Sequence, residues 1–296
     1  AVYLSGLVEG WIAIGLTIGA YFNWLLVAGR LRVYTELNNN ALTLPEYFHN
    51  RFGSSHKLLK LVSATIILVF FTIYCASGVV AGAKLFQNLF SVEYSTALWY
   101  GALATILYTF IGGFLAVSWT DTIQATLMIF ALLLTPIFVL LSIGDTAQFS
   151  SVLAQAEVAA NKDFTDLFTA TTPLGLLSLA AWGLGYFGQP HIIVRFMSID
   201  SADELWKSRL IAMIWVFISL LGAIAVGITG IGVFTDVSQM GGDAEKVFIF
   251  LIHKLFNPWM AGILFAAILS AIMSTISSQL LVSSNTLTED FYKYIV

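Results

Sequence analysis

The stretch "AILSAIMSTISS" (residues 267–278) places Ala267, Ala271, Ser274 and Ser278 at i, i+4, i+7 and i+11, a stripe of small residues on one helix face. The adjacent Ser274 and Thr275 hydroxyls, with a carbonyl such as that of Ala271, offer several neutral oxygens. Small hard cations take oxygen ligands, and few carboxylates suit weak, reversible binding of a monovalent ion. The same pattern also suits close helix packing, with each hydroxyl bonded to a carbonyl one turn back. A second stretch, "AWGLGYFGQPH", sets Gly183, Gly185, Gly188 and Pro190 in an otherwise apolar run. Glycine weakens a helix, and proline removes an N–H and clashes one turn back. That composition fits a kink or close packing. It also fits a discontinuous helix whose freed backbone groups face a binding site. Trp182 and Tyr186 are four apart, on one face if the segment is α-helical.

Two further polar residues stand in apolar surroundings. Asp121, in "SWTDTIQ", begins an apolar interval and suits either a helix N-cap at the interface or a role in ion passage. Tyr74, in "FFTIYCASG", is an uncharged polar group that reads as a bundle-facing tyrosine. Enzymatic arrangements are missing from the sequence. No GxxxxGK[ST] loop is present to cradle a triphosphate. His49, His56, His191 and His253 are scattered, with no metal-binding spacing. One cysteine, Cys75, excludes an intramolecular disulfide framework, and no basic tract suggests nucleic acid. No organic cofactor is implied.

The elements that must position these residues follow from composition. Of 296 residues, 58% are hydrophobic and 10% charged, with mean hydropathy +0.88. Soluble domains carry about 25% charged residues, so the chain is an all-α integral membrane protein of the lipid bilayer. A spanning helix needs about 20 apolar residues. Seven intervals without Asp, Glu, Lys or Arg qualify: about 10–29, 61–83, 94–120, 122–144, 167–194, 210–235 and 255–288. They read as one membrane domain, 1–296, with its ends on opposite faces. With Ala1 outside, the cytoplasmic segments hold Arg30, Arg32, Arg51, Lys57, Lys60, Arg195, Lys207, Arg209 and Lys293. The outer ones hold only Lys84, Lys162, Lys246 and Lys254, which satisfies the positive-inside rule. Pro45 and Glu46, in "TLPEYF", suit the first turn of a short surface helix. A chain starting at Ala1 and stopping in "EDFYKYIV" reads as a piece of a longer polypeptide.

These stretches, together with "GRLRVYTELNNNALTLPEYF" and "FIGGFLAVSWTD", resemble the sodium/solute symporter family end to end, and within it the members that carry proline. The resemblance implies a LeuT-type core of two inverted five-helix repeats. The seven spans would be its second to eighth helices, with the first before Ala1 and the later ones after Val296. It implies sodium-coupled import of L-proline across a bacterial plasma membrane by alternating access. Ala271, Ser274 and Thr275 would belong to the sodium site, and Asp121 to the inward sodium path. Tyr74, Trp182, Tyr186 and Pro190 would line the proline pocket. A same-fold symporter for another small solute is the nearest alternative. A membrane sensor module joined to a signalling kinase is the next.

Overall fold

The computed structural model describes residues 1–53, 58–144, 146–168 and 171–293, so His56 and Lys57 lie outside it. Among the described residues every regular element is helical. In chain order they are α1 (Val2–Leu37), α2 (Leu44–Phe52), α3 (Leu58–Phe90), α4 (Tyr94–Ile143) and α5 (Thr146–Ala160). There follow α6 (Pro173–Gly188), α7 (Pro190–Met197), α8 (Ala202–Val233), α9 (Val247–Leu255) and α10 (Pro258–Tyr292). Five of them, α1, α3, α4, α8 and α10, are long and apolar enough to cross a membrane. Helices are the expected solution, because lipid offers no partner to a free backbone group.

Helix α4 contains two of the expected spans. At 50 residues it would run about 75 Å as one rod, well beyond an apolar layer of about 30 Å. The turn falls at Gly113, with φ 55° and ψ −150°, a region that only glycine enters cheaply. The sequence reading put this boundary at Asp121. Asp121 itself is helical, and the non-helical backbone lies at Gly113.

Contacts divide the chain into two compact units. The first gathers Ala1–Phe22, Thr126–Tyr186 and Ser208–Ala267. Its core joins Tyr3, Val139, Phe164, Phe234, Met240 and Leu251. The Tyr3 hydroxyl donates to the Phe234 carbonyl at 2.8 Å, and Trp11 Nε1 to the Leu167 carbonyl at 2.8 Å. Here α1 crosses α6 at backbone distance. A Cβ on Gly15 would run into the Ala180 carbonyl, one on Gly19 into that of Gly183, and one on Gly183 into that of Gly15. Small residues at such a crossing admit the close approach that drives association where lipid is as apolar as the partner.

The second unit gathers Asn23–Ala125, Phe187–Lys207 and the chain from Ile268 onward. Leu31, Ile67, Phe71, Ile193, Phe196 and Val282 form much of its core. Helix α2 starts as the sequence expects: Thr43 Oγ1 accepts from the Glu46 N–H at 3.2 Å, while Glu46 Oε2 accepts from the Leu42 N–H at 3.0 Å. The same Thr43 hydroxyl donates to Asp290 Oδ1 at 2.9 Å, and Lys60 Nζ stands 3.2 Å from that oxygen. Asp290 is fully buried on the π-helical end of α10, so this pair ties α2, α3 and α10 together. Lys60 is therefore a paired charge rather than a solvated loop charge.

Candidate functional site

The break anticipated in "AWGLGYFGQPH" is present, with a winding that changes its geometry. Residues Ala181–Gly188 wind as a 3₁₀ helix, Gln189 is extended (φ −96°, ψ 104°), and α7 restarts at Pro190. At three residues per turn, positions i and i+3 eclipse. Trp182 and Tyr186, four apart, then point about 120° away from each other. The expectation that they share a face is corrected, since it holds only for α-helical winding. Trp182 is 64% exposed and Tyr186 partly buried, both in the first unit. Gly183 serves the crossing with α1, the packing role the sequence allowed. Gly188 is different: a Cβ there would meet nothing within 4 Å.

Tyr74 and Pro190 come together in the second unit. They line a cleft of about 360 Å³ with Phe70, Phe71, Ser77, Gln189 and His191. Its walls are mostly apolar and aromatic, with a tyrosine, a serine, an amide and an imidazole as polar points. That size and lining suit a small organic solute, since ligand clefts run from about 300 Å³ upward. Tyr74 is 47% exposed.

On α10, Ser274 Oγ donates to the Ala271 carbonyl at 3.2 Å and Thr275 Oγ1 donates to it at 3.1 Å. Three neutral oxygens therefore converge on one turn. The bonds are those of back-bonded hydroxyls, and the oxygens are those a small cation would take. Ser277, fully buried, donates to the Ser274 carbonyl at 3.1 Å, and the Tyr108 hydroxyl to the Met273 carbonyl at 3.3 Å.

Asp121 is not the helix cap that its sequence context allowed. Its Oδ2 accepts from Arg195 Nη2 in a short charge-assisted bond and from Ser278 Oγ at 3.2 Å. Arg195 also donates to Ser278 Oγ at 2.7 Å. The Asp121 carboxylate is 12% exposed and its Oδ1 is buried without a partner. Arg195 was missed as a site residue because it sits at the edge of the 167–194 interval and counted as a loop cation. Its place in "PHIIVRFM", four residues after His191, was the available signal. Thr43, Lys60 and Asp290 were likewise not read as a cluster.

Apolar helices, one of them broken beside a cleft, and hydroxyl and carbonyl oxygens that converge on another are features that secondary transporters share. The chain belongs to the sodium:solute symporter family, whose model matches residues 1–296. It is 78% identical over 297 residues to the sodium/proline symporter of Haemophilus influenzae, covering 99% of this chain and 59% of that protein. It is 57% identical to the sodium/proline symporter of Escherichia coli (99% and 58%) and 49% identical to that of Staphylococcus aureus (100% and 57%). The chain thus spans less than three fifths of the length of these relatives. A solved Na+-coupled sialic acid symporter, in a substrate-bound outward-open state, superposes with a TM-score of 0.73 at 18% identity. The match covers 99% of this chain and 65% of that one, and shows an all-α, LeuT-like fold.

Proposed function

We propose that the protein containing this chain imports L-proline with sodium across a bacterial plasma membrane by alternating access, as a single transmembrane transporter domain. The observation that carries the reading is the cleft at the α6–α7 break, where Tyr74, Pro190 and the backbone at Gly188–Gln189 face a space fit for a small zwitterion. Relatives named sodium/proline symporters support proline over another solute, and none of them is named as a sensor or an enzyme.

Proline carries an apolar ring between two charged ends. Tyr74 and the Phe70 and Phe71 rings suit the apolar part, and the polar residues Ser77 and Gln189 suit the charged ends. Trp182 and Tyr186, in the first unit, remain substrate-binding residues of this proposal through their aromatic rings. Sodium takes the Ala271 carbonyl and the Ser274 and Thr275 hydroxyls. Asp121 draws the ion inward, and the ion competes with Arg195 for that carboxylate. The Ala1 end lies outside and the chain's other end in the cytoplasm, an orientation supported by the excess of arginine and lysine on that side.

Radiolabelled proline uptake by the full-length protein, with sodium exchanged for potassium or choline, tests the reading. Uptake should collapse on exchange. Uptake indifferent to sodium overturns it.

A further inference from the structure

Within the first unit, α1 and α8 enclose a groove that the scheme above leaves unused. It holds about 320 Å³ between residues 10–18 of α1 and 217–224 of α8. Thr17 is the polar residue of its lining, and that hydroxyl is spent on the Ala13 carbonyl at 2.8 Å. A polar solute would find no partner there, whereas a hydrocarbon chain needs none. Ile14, Ile18, Phe217 and Leu221 along its mouth are exposed.

The two ends of the groove differ. At one, α1 meets α8: a Cβ on Gly227 would run into the Val2 side chain, and one on Gly10 would touch Ile224. At the other, one turn past Ile18, Arg209 Cζ stands 6.0 Å from the centroid of the Tyr21 ring. Arg209 is partly buried, and none of the ion pairs among the described residues includes it. A cation with no counter-charge in the protein, at the rim of an apolar groove, complements a ligand with an anionic head and an apolar tail.

Length points the same way. From Arg209 to Ile224 the helix rises about 22 Å. One leaflet with its headgroups is half of a bilayer about 40–45 Å thick, which is the same distance. Basic pockets between spanning helices seat anionic headgroups, and tyrosine is enriched at headgroup depth. A groove that stops where its helices touch suits a chain that also stops, whereas a protein span would have to run past that contact.

We propose that this groove binds one anionic phospholipid, with an acyl chain between α1 and α8 and the phosphate held by Arg209 beside Tyr21. The site goes beyond the transport reading and requires only that the chain crosses a bilayer. Arg209 selects the headgroup and the groove holds the chain, so the two contributions separate by substitution.

Native mass spectrometry of the full-length protein in mild detergent, titrated with phosphatidylglycerol or phosphatidylcholine of identical acyl chains, reads the affinity of the first lipid bound. Wild type should prefer phosphatidylglycerol about fivefold, the contribution of one cation near a headgroup. Arg209→Gln should abolish that preference and leave phosphatidylcholine binding unchanged, and Arg209→Lys should keep it. Ala13→Phe fills the groove and should weaken both lipids about fivefold or more, with the headgroup preference lost as the lipid leaves. Should Ala13→Phe not reach the membrane, Thr17→Phe fills the same space and should act alike. A wild type that binds the two lipids equally overturns the proposal, as does an Arg209→Gln variant that keeps its preference. Lipid binding that the filled groove leaves within about twofold of wild type overturns it too. Retention of neither lipid by wild type means that another segment of the full-length protein occupies the groove, and the proposal falls.

Discussion

At the scale of single residues, the oxygens of α10 separate structure from function by what each bonds to. Ser274 and Thr275 donate only to a carbonyl of their own helix. Such bonds add little to stability, because back-bonding hydroxyls are close to neutral in a helix. Ser274→Ala should therefore leave thermal stability of the full-length protein nearly unchanged. If the hydroxyl is an ion ligand, the half-saturating sodium concentration should rise about tenfold, the equivalent of about 1.4 kcal/mol. Sodium titration of proline uptake checks it, and an unchanged titration removes Ser274 from the ion site. Asp121 differs in kind. Its bonds reach Arg195 and Ser278, so its loss alters both a charge pair and any ion path, and stability and transport should move together.

At the scale of elements, the α1–α6 crossing explains why one glycine of the broken segment is irreplaceable and another is not. The Gly183 Cβ position is taken by the Gly15 carbonyl, a backbone atom that cannot rotate away, whereas nothing stands near that of Gly188. Gly183→Ala should cost about 1–3 kcal/mol through overpacking. Gly188→Ala should cost well under 1 kcal/mol on steric grounds. Denaturation of the two full-length variants in detergent, followed by tryptophan fluorescence, orders them, and equal stabilities would contradict the crossing. The segments at Asp163 and Asp236 are held by their own caps. The Ser238 and Thr165 hydroxyls donate to Asp236 and Asp163 and hold those carboxyls below the usual carboxylate range. That contribution is present above the ordinary carboxylate pKa and fades only as pH falls through the lowered one, so neutral and mildly acidic media leave these turns intact.

At the scale of the whole molecule, the proposed cycle has a thermodynamic ceiling. One sodium ion entering down about 100 mV gains about 2.3 kcal/mol. A tenfold sodium gradient adds about 1.4 kcal/mol, for a sum of about 3.7 kcal/mol. One ion per proline then sustains accumulation of a few hundredfold at most. Steady-state accumulation in vesicles with imposed sodium and voltage gradients should level off near that figure. A plateau orders of magnitude higher requires more than one ion per cycle. The arginine-rich second unit adds a constraint on assembly in the bilayer: Arg195 and Lys60 are held by Asp121 and Asp290. Truncating either acid leaves a cation unpaired in apolar surroundings, which destabilises more than deleting the pair together.

The sequence alone determined the class of molecule, because charge scarce enough for lipid and helix breakers inside an apolar run are local properties. It located the break within "AWGLGYFGQPH", the cap of α2 and the hydroxyl oxygens of α10, each resolved within a turn or two of chain. Tertiary structure decided what local periodicity could not. The 3₁₀ winding of Ala181–Gly188 turned Trp182 away from Tyr186. Gly113 rather than Asp121 became the turn of α4. Asp121 acquired partners 74 and 157 residues away, and Asp290 one 247 away in Thr43. Composition and period act along a single helix. Which buried charge finds which partner depends on helices meeting far apart in the chain, where an unpaired charge is too costly to remain.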